Sequence, residues 1–312
     1  MTYLVTGGTG FIGSYVVRIL IQDGEQVVAY DVAPDKSLLK HLMGKEKSDR
    51  VIVVPGDITD LAHLIRSCQE HNVETVIHTA AVLVAENPWW VTQVNCVGTL
   101  NVLEAARILG IKRVAMTSSV SVFGPPDRYK EEYISNGAPH FPRNIYGASK
   151  SFNEACAMQY FTDYGLETIT IRLAHVYGFG RTNTGLGRVI DEELFTKPAL
   201  GKPGSVPYGD DTHNFIYIED AARVMVMASR VGKTRTRAFT AGGGIHSTAE
   251  IAAHIKSLIP NAEINLLPGL MGWAYKFDTT PVMEEIGYRP EWTIEQGVKQ
   301  FIEDIQKQHR AA

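Results

Sequence analysis

Short apolar runs alternate along the chain with segments whose apolar positions recur at helical spacing, and the alternation holds from the second residue to Leu173. It predicts strands at Thr2 to Thr6, Gln26 to Asp31, Val51 to Val54, Thr75 to His78, Arg113 to Thr117 and Thr168 to Leu173. These runs read as buried strands, as strands covered on both faces are. Helices are expected at Phe11 to Gln22, Leu61 to Glu70, Val91 to Leu109 and Tyr146 to Tyr164, with Gly110 and Gly165 stopping the last two. Strand and helix taken in turn make an α/β fold with a parallel sheet wound on both faces.

After Leu173 the texture changes. Gly178, Gly180, Gly185, Gly187, Gly201, Gly204 and Gly209, with Pro198, Pro203 and Pro207, predict loops through about forty residues, a length that usually serves binding. A strand-then-helix unit returns at Asn214 to Ser229, followed by a strand at Ala238 to Thr240 and helices at Thr248 to Leu258 and Ile294 to Gln306. The expected organisation is a nucleotide-binding domain at 1–175, rejoined by 213–240, and a smaller substrate lobe built from 176–212 and 241–312.

The 312 residues, 45% of them hydrophobic, are enough for a large core. A formal net charge of −4 with mixed signs offers no basic face for nucleic acid and no polybasic membrane tether. No apolar stretch reaches the roughly 20 residues of a membrane span, and glycines cut the first one short, so neither a span nor a secretory signal is expected and the cytoplasm is the default. Cys68, Cys96 and Cys156 are widely spaced, unlike a disulfide framework or a metal knuckle, and read as small buried residues.

Chemistry enters at the first strand, which runs into Gly7, Gly10 and Gly13. Gly7 permits a tight turn, Gly10 a close approach of backbone to phosphate, and Gly13 close packing of the helix on the strand, so a pyrophosphate would face the helix N-terminus. Asp31, eighteen residues after Gly13 and ending the second strand, suits both hydroxyls of an adenosine ribose and would repel a 2′-phosphate, which favours NAD over NADP. The sheet is therefore expected to be of Rossmann type. Tyr146 and Lys150 stand one turn apart at a helix start, where an ammonium beside a phenol would lower the phenol pKa toward working pH. Ser119, at the end of the Arg113 strand, is the preferred hydroxyl for holding a substrate oxygen. Thr117, Ser118 and Ser121 are plainer turn residues.

Together, Gly7, Gly10 and Gly13, Asp31, Asp57-Ile58, His78 to Ala81, Asn95 to Asn101, Ser119, Tyr146 to Lys150, Arg172 to Gly178 and Asn214 to Asp220 resemble the extended short-chain dehydrogenase/reductase family, which includes NAD-dependent sugar epimerases and dehydratases. The resemblance runs from residue 2 to about residue 290. It implies that Phe11 and Ile12 offer amides to the pyrophosphate, that Asp57 and Ile58 border the adenine, and that Ala80 and Ala81 line the cofactor path. Asn95 would support the site through a backbone or water contact. Tyr146 would be the acid/base, Lys150 would bind the nicotinamide ribose and depress the Tyr146 pKa, and Ser119 would hydrogen-bond the substrate oxygen. Leu173 and Ala174 would lie near the nicotinamide. The helices from Asn95 to Leu109 and from Tyr146 to Tyr164 would pair in a homodimer.

The sequence also departs from that pattern. Relatives acting on nucleotide sugars commonly carry an Arg-Asp pair whose arginine clamps a diphosphate, where this chain has His213-Asn214, and His175 stands where a substrate-contacting asparagine is frequent. Neither neutral imidazole equals a forked guanidinium, although Arg181 or Arg188 would compensate from the glycine-rich stretch. Val120-Ser121 after Ser119 lacks the acidic pair of a dehydratase, so dehydration is set aside. Val82, Ser121, His175, Arg181, Arg188 and His213 are the candidate substrate residues. Trp89 and Trp90 would either line an apolar pocket or pack a helix start, the second being the plainer reading. No metal is expected, since His78 and His175 have no partner at ligand spacing.

The leading expectation is an NAD-dependent dehydrogenase or reductase of a secondary alcohol, sugar-like or another small polar hydroxy compound. A (nucleotide-)sugar 4-epimerase using the same residues is the alternative. A non-catalytic NAD-binding sensor is a third reading, opposed by the intact set Ser119, Tyr146 and Lys150.

Overall fold

The computed structural model describes residues 1–83, 87–182 and 185–311. Parts of two segments discussed above, 84–86 before Asn95 and 183–184 in the glycine-rich stretch, lie outside the described residues.

The main sheet contains β1 (Thr2–Thr6), β2 (Gln26–Asp31), β3 (Ile52–Pro55), β4 (Thr75–His78), β5 (Arg113–Ser119), β6 (Glu167–Leu173) and β10 (Ala238–Ala241). All pairings are parallel and the order is β3-β2-β1-β4-β5-β6-β10. The order reverses next to β1, so the connections that leave β1 and β4 pass to opposite faces and open a crevice at the carboxyl ends, where ligands of such sheets bind. Residues along a strand point alternately to the two faces. Tyr3, Val5, Ala29 and Ile77 join one core with α1 (Phe11–Gln22) and α9 (Ile218–Arg230). Leu4, Val28, Val76 and Val114 join the other with α3 (Leu61–Glu70) and α5 (Gly98–Leu109). On that second face α6 (Ile145–Tyr164) packs beside α5.

Several elements differ from expectation. Helix α2 (Ser37–Asp49) is lysine-rich and buries only Leu39 and Ser48, so its apolar pattern is too thin to announce it. The helix expected at Val91 to Leu109 is not uniform: α4 (Pro88–Val91) and α5 are joined by a π-helical turn at Thr92–Val97, which turns Asn95 inward. The stretch read as loop holds β7 (His175–Tyr177), α7 (Leu186–Ile190), a π-helical turn at Asp191–Thr196, α8 (Lys197–Ala199) and β8 (Gly204–Val206). Buried Ile190, Leu194 and Phe195 drive that helical run, although glycines surround it. Residues 213–240 return to the main sheet through α9 and β10, whereas β9 (Thr212–Tyr217) pairs with β7 and with β11 (Gly244–Ser247) in a separate three-stranded sheet. After β11 come α10 (Thr248–Leu258), β12 (Ile264–Leu266), paired with β8, and α11 (Ile294–Ala311).

Candidate active site

The glycine turn after β1 is fixed by sterics. Gly7 has φ +65°, a left-handed value that favours glycine, and its N–H donates to the Tyr30 carbonyl at 2.8 Å. A Cβ on Gly13 would stand 1.9 Å from the Gly7 carbonyl oxygen, so only glycine lets α1 begin directly against the turn. Gly10 precedes α1 without a side-chain cap, which leaves the first-turn amides of Phe11 and Ile12 facing the crevice. At the end of β2, Asp31 Oδ2 accepts from the Thr9 amide at 3.1 Å and the Thr9 hydroxyl at 2.8 Å, which orients its carboxylate. Lys36, the cation nearest in sequence, is turned away, its Nζ donating to the carbonyls of Ser48 and Val51 at 3.3 and 3.0 Å.

A cavity of about 600 Å³ runs from this cradle along the carboxyl ends of the strands. Asp31, Asp57 and Ile58 line one end. Gly7, Gly10, Phe11, Ile12, Gly13, Ala80 and Ala81 line the middle, and Val82, Ser119, Ser121, Tyr146, Lys150, Leu173, Ala174, His175, Arg181 and His213 the rest. Arg188 is not among the described lining: it is exposed, and its Nη1 donates to the Thr182 carbonyl at 3.3 Å. Arg181 is in the cavity but committed. Its Nε donates to buried Asp191 at 2.7 Å, its Nη2 to the Val176 carbonyl, and its guanidinium lies 4.4 Å from the Phe11 ring centroid.

Two local contacts bring Tyr146 to Ser119. Asn144 caps α6 by accepting from the Gly147 amide at 2.9 Å. Gly147 in turn lies so near the turn after β5 that a Cβ there would meet the Ser121 carbonyl oxygen at 2.5 Å. The Ser119 hydroxyl accepts from the Ser121 amide at 3.2 Å and lies close enough to the Tyr146 phenol to pull its pKa downward. Lys150 Nζ donates to the Thr117 carbonyl at 2.9 Å and sits 5.7 Å from the centre of the Tyr146 ring.

The electrostatics correct one expectation. Burial pushes the Tyr146 phenol up to about 12, against the pull of the Ser119 hydroxyl and the Arg181 charge. Lys150 Nζ, 5.7 Å from the ring centre and donating to the Thr117 carbonyl, does not bring the phenol below its ordinary value against that burial. Burial brings Lys150 itself down to about 8, with Glu154 opposing.

Asn95 lies behind the lining, not in it. Its Oδ1 accepts from the Val82 amide at 2.8 Å, and its Nδ2 donates to the Val82 carbonyl at 2.8 Å and to Ser149 Oγ at 3.1 Å, tying the Ala80–Val82 wall to α6. His78 is a core residue between Thr6 and Thr99, at 2.6 and 3.0 Å, and burial drives its pKa down to about 3. Among the described residues no three His, Cys, Asp or Glu side chains stand together as a metal site. Trp90 lines the cavity, contrary to the plainer reading, while Trp89 stacks on it and is largely exposed.

Two features of the site were missed. One is a buried ion pair beneath Ser119: Arg172 Nε and Nη2 donate to Glu154 at 2.6 to 3.1 Å, and Ser118 donates to Glu154 Oε1 at 2.6 Å. Its pattern, Ser118, Glu154 and Arg172 on three neighbouring elements, carries no spacing signal. The other is a wall made by Met271, Trp273, Ala274 and Phe277, a segment with no regular helix or strand period.

The family model described as the NAD dependent epimerase/dehydratase family matches residues 3–242. The chain belongs to that family. Within it, the chain is 31% identical to the UDP-glucose 4-epimerase of Mycolicibacterium smegmatis over 97% of this chain and 98% of the relative. Among solved structures it is similar to a UDP-glucose 4-epimerase from Stenotrophomonas maltophila, with TM-score 0.87, 23% identity and all of both chains covered. It is similar in fold to an L-threonine dehydrogenase from Cupriavidus necator as well, with TM-score 0.86, 22% identity and 98% and 100% coverage. At those identities the structures speak for the fold alone. As a member of an NAD-dependent oxidoreductase family of Rossmann type, the chain takes NAD as its cofactor. The uncapped α1 amides, the glycine cradle that no Cβ would fit, and the oriented Asp31 carboxylate are the donor set such a dinucleotide requires.

Proposed function

We propose that the protein is a dehydrogenase or reductase that transfers hydride between a secondary alcohol and NAD, with Tyr146 as acid/base. The observation that carries this reading is the meeting of Ser119 and Tyr146 in the cavity that begins at the glycine cradle. NAD, when bound, supplies the hydride acceptor. Ser119 holds the substrate oxygen by a hydrogen bond, and Tyr146 takes the hydroxyl proton during oxidation or returns it during reduction. Lys150 would bind the nicotinamide ribose, with its charge available below its pKa of about 8. Asp31 would take the adenosine ribose, and Phe11 and Ile12 the pyrophosphate.

Purified protein with NAD and a panel of sugars, sugar acids, simple alcohols and nucleotide sugars tests the reading through NADH formation and product stereochemistry. Accumulating NADH supports it. The 31% identity to a UDP-glucose 4-epimerase favours a second reading, in which the ketone is re-reduced on its opposite face. Isomer formation without net NADH would decide for that reading.

A homodimer through α5 and α6 is part of the proposal. Those helices expose Ile108, Phe152, Met158 and Tyr164 at 42 to 58% of their surface, an apolar set that a second copy would cover. Sedimentation equilibrium at twice the monomer mass is the expected outcome, and a monomer at micromolar concentration the contrary one.

A further inference from the structure

The hydride-transfer reading leaves the reacting molecule open, and the wall beside Tyr146 narrows it. The segment from Met271 to Phe277 is fastened to the catalytic side of the cavity. The Ala274 amide donates to the Gly124 carbonyl at 3.2 Å, Phe277 stacks on Phe123 with centroids 5.5 Å apart, and Arg143 Nη1 donates to the Met271 carbonyl at 2.7 Å. Arg143 also lies 5.3 Å from the Trp273 ring centre. With Trp90 and Val120, this segment gives the cavity an apolar lining that includes three aromatic rings.

Two polar groups on this side have no partner among the described residues. His175 Nε2 and Ser121 Oγ are both buried without a hydrogen-bond partner, and both residues line the cavity. His175 stands 5.1 Å from His213 between ring centres, and burial holds both imidazoles below their usual pKa, for His175 with the added push of His213 and Arg181. Lys150 and Arg181 are the Lys and Arg residues among the described lining. The first belongs to the cofactor side of the site in the proposed reading, and the second is paired with Asp191. A diphosphate brought here would therefore meet neutral imidazoles instead of a forked guanidinium.

We infer that the reacting alcohol or ketone is a neutral molecule carrying a flat apolar group, such as an aryl ring, and no phosphate. The ring lies against Trp90, Trp273 and Phe277, and a second hydroxyl or carbonyl is held by His175 and Ser121. In oxidation the carbinol C–H bond breaks with its electron pair leaving as hydride to NAD, the O–H proton goes to Tyr146, and the C=O bond forms. The inference rests on the hydride-transfer reading, and its test separates the two.

A vicinal phenylpropanediol, a butanediol and UDP-glucose are compared as substrates of the full-length protein with NAD, in the wild type and in Trp273→Ala. The phenylpropanediol should exceed the butanediol in kcat/KM by about tenfold or more, and Trp273→Ala should remove most of that preference while leaving the Kd for NAD in place. Turnover of UDP-glucose, equal kcat/KM for the two diols, or a preference untouched by Trp273→Ala overturns the inference and leaves hydride transfer standing. If none of the three transfers hydride, calorimetric titration of the enzyme–NAD complex decides. Binding of the phenylpropanediol but not UDP-glucose keeps the ligand class of the inference and counts against hydride transfer as its fate. Binding of UDP-glucose, or no binding of the diol, overturns the inference.

Discussion

Tyr146 and Lys150 show how one site divides its electrostatic work. Burial acts on both in the direction that favours the neutral form, raising the phenol to about 12 and lowering the ammonium to about 8. Oxidation needs Tyr146 to accept a proton, and the deprotonated fraction grows with pH. The account therefore predicts that kcat/KM for alcohol oxidation rises from about pH 6 toward about pH 8, where Lys150 begins to lose its charge, while ketone reduction, which needs the protonated phenol, is flat or falls there. Profiles with the opposite slopes would remove Tyr146 from the proton-transfer role. At Gly13 the expectation is steric. Gly13→Ala places a methyl 1.9 Å from the Gly7 carbonyl oxygen and should weaken NAD binding by tenfold or more, read as a shifted Kd. These residues were legible in the sequence because their spacing is local: a turn, a strand end, one turn of helix. The pKa of Tyr146 was not, since it depends on burial by distant segments.

At the scale of elements, the catalytic geometry depends on how α6 meets the turn after β5. Gly147 permits that contact, with the Ser121 carbonyl oxygen 2.5 Å from where a Cβ would be. Gly147→Ala should move Tyr146 away from Ser119 and lower kcat by about tenfold to a hundredfold, with the Kd for NAD little changed. Unchanged kcat would show that the contact does not position Tyr146. Long elements with a clear apolar period were legible: β1, α1, β2, α3, β4 and α10 run over the residues expected. The exceptions have physical causes. The π-helical turn that brings Asn95 inward breaks the period within a helix, and α2 has too few apolar residues to show one. The helical run near Leu194 and Phe195 is driven by burial that its glycine-rich surroundings conceal. Strand β9 was legible as a strand, but its place in a separate sheet is set by pairing with β7 and β11.

For the whole molecule, buried histidines tie stability to pH. His78 has a pKa of about 3 when folded against 6.5 for a free imidazole, so between those values the unfolded chain binds more protons and stability falls as pH falls. His175 and His213 are shifted the same way. Asp191, raised from 3.8 to about 6, works in the opposite sense over its own window. Going from about pH 7 to about pH 5 should cost about 2 kcal/mol through His78 alone, and His78→Asn should lose that share in denaturant titrations at the two pH values. An equal pH dependence in both proteins would contradict it. The parallel sheet covered on both faces followed from the alternation of strands and helices, whereas the wall of Met271 to Phe277 is assembled by contacts to Gly124, Phe123 and Arg143 with no period of its own. The central claim, hydride transfer with Tyr146 as acid/base, is tested most directly by single-turnover NADH formation from a turned-over alcohol in the wild type and in Tyr146→Phe. The account predicts a loss of about a hundredfold or more in rate with the Kd for NAD within a few-fold of the wild type. NADH formation at the wild-type rate in Tyr146→Phe would contradict it.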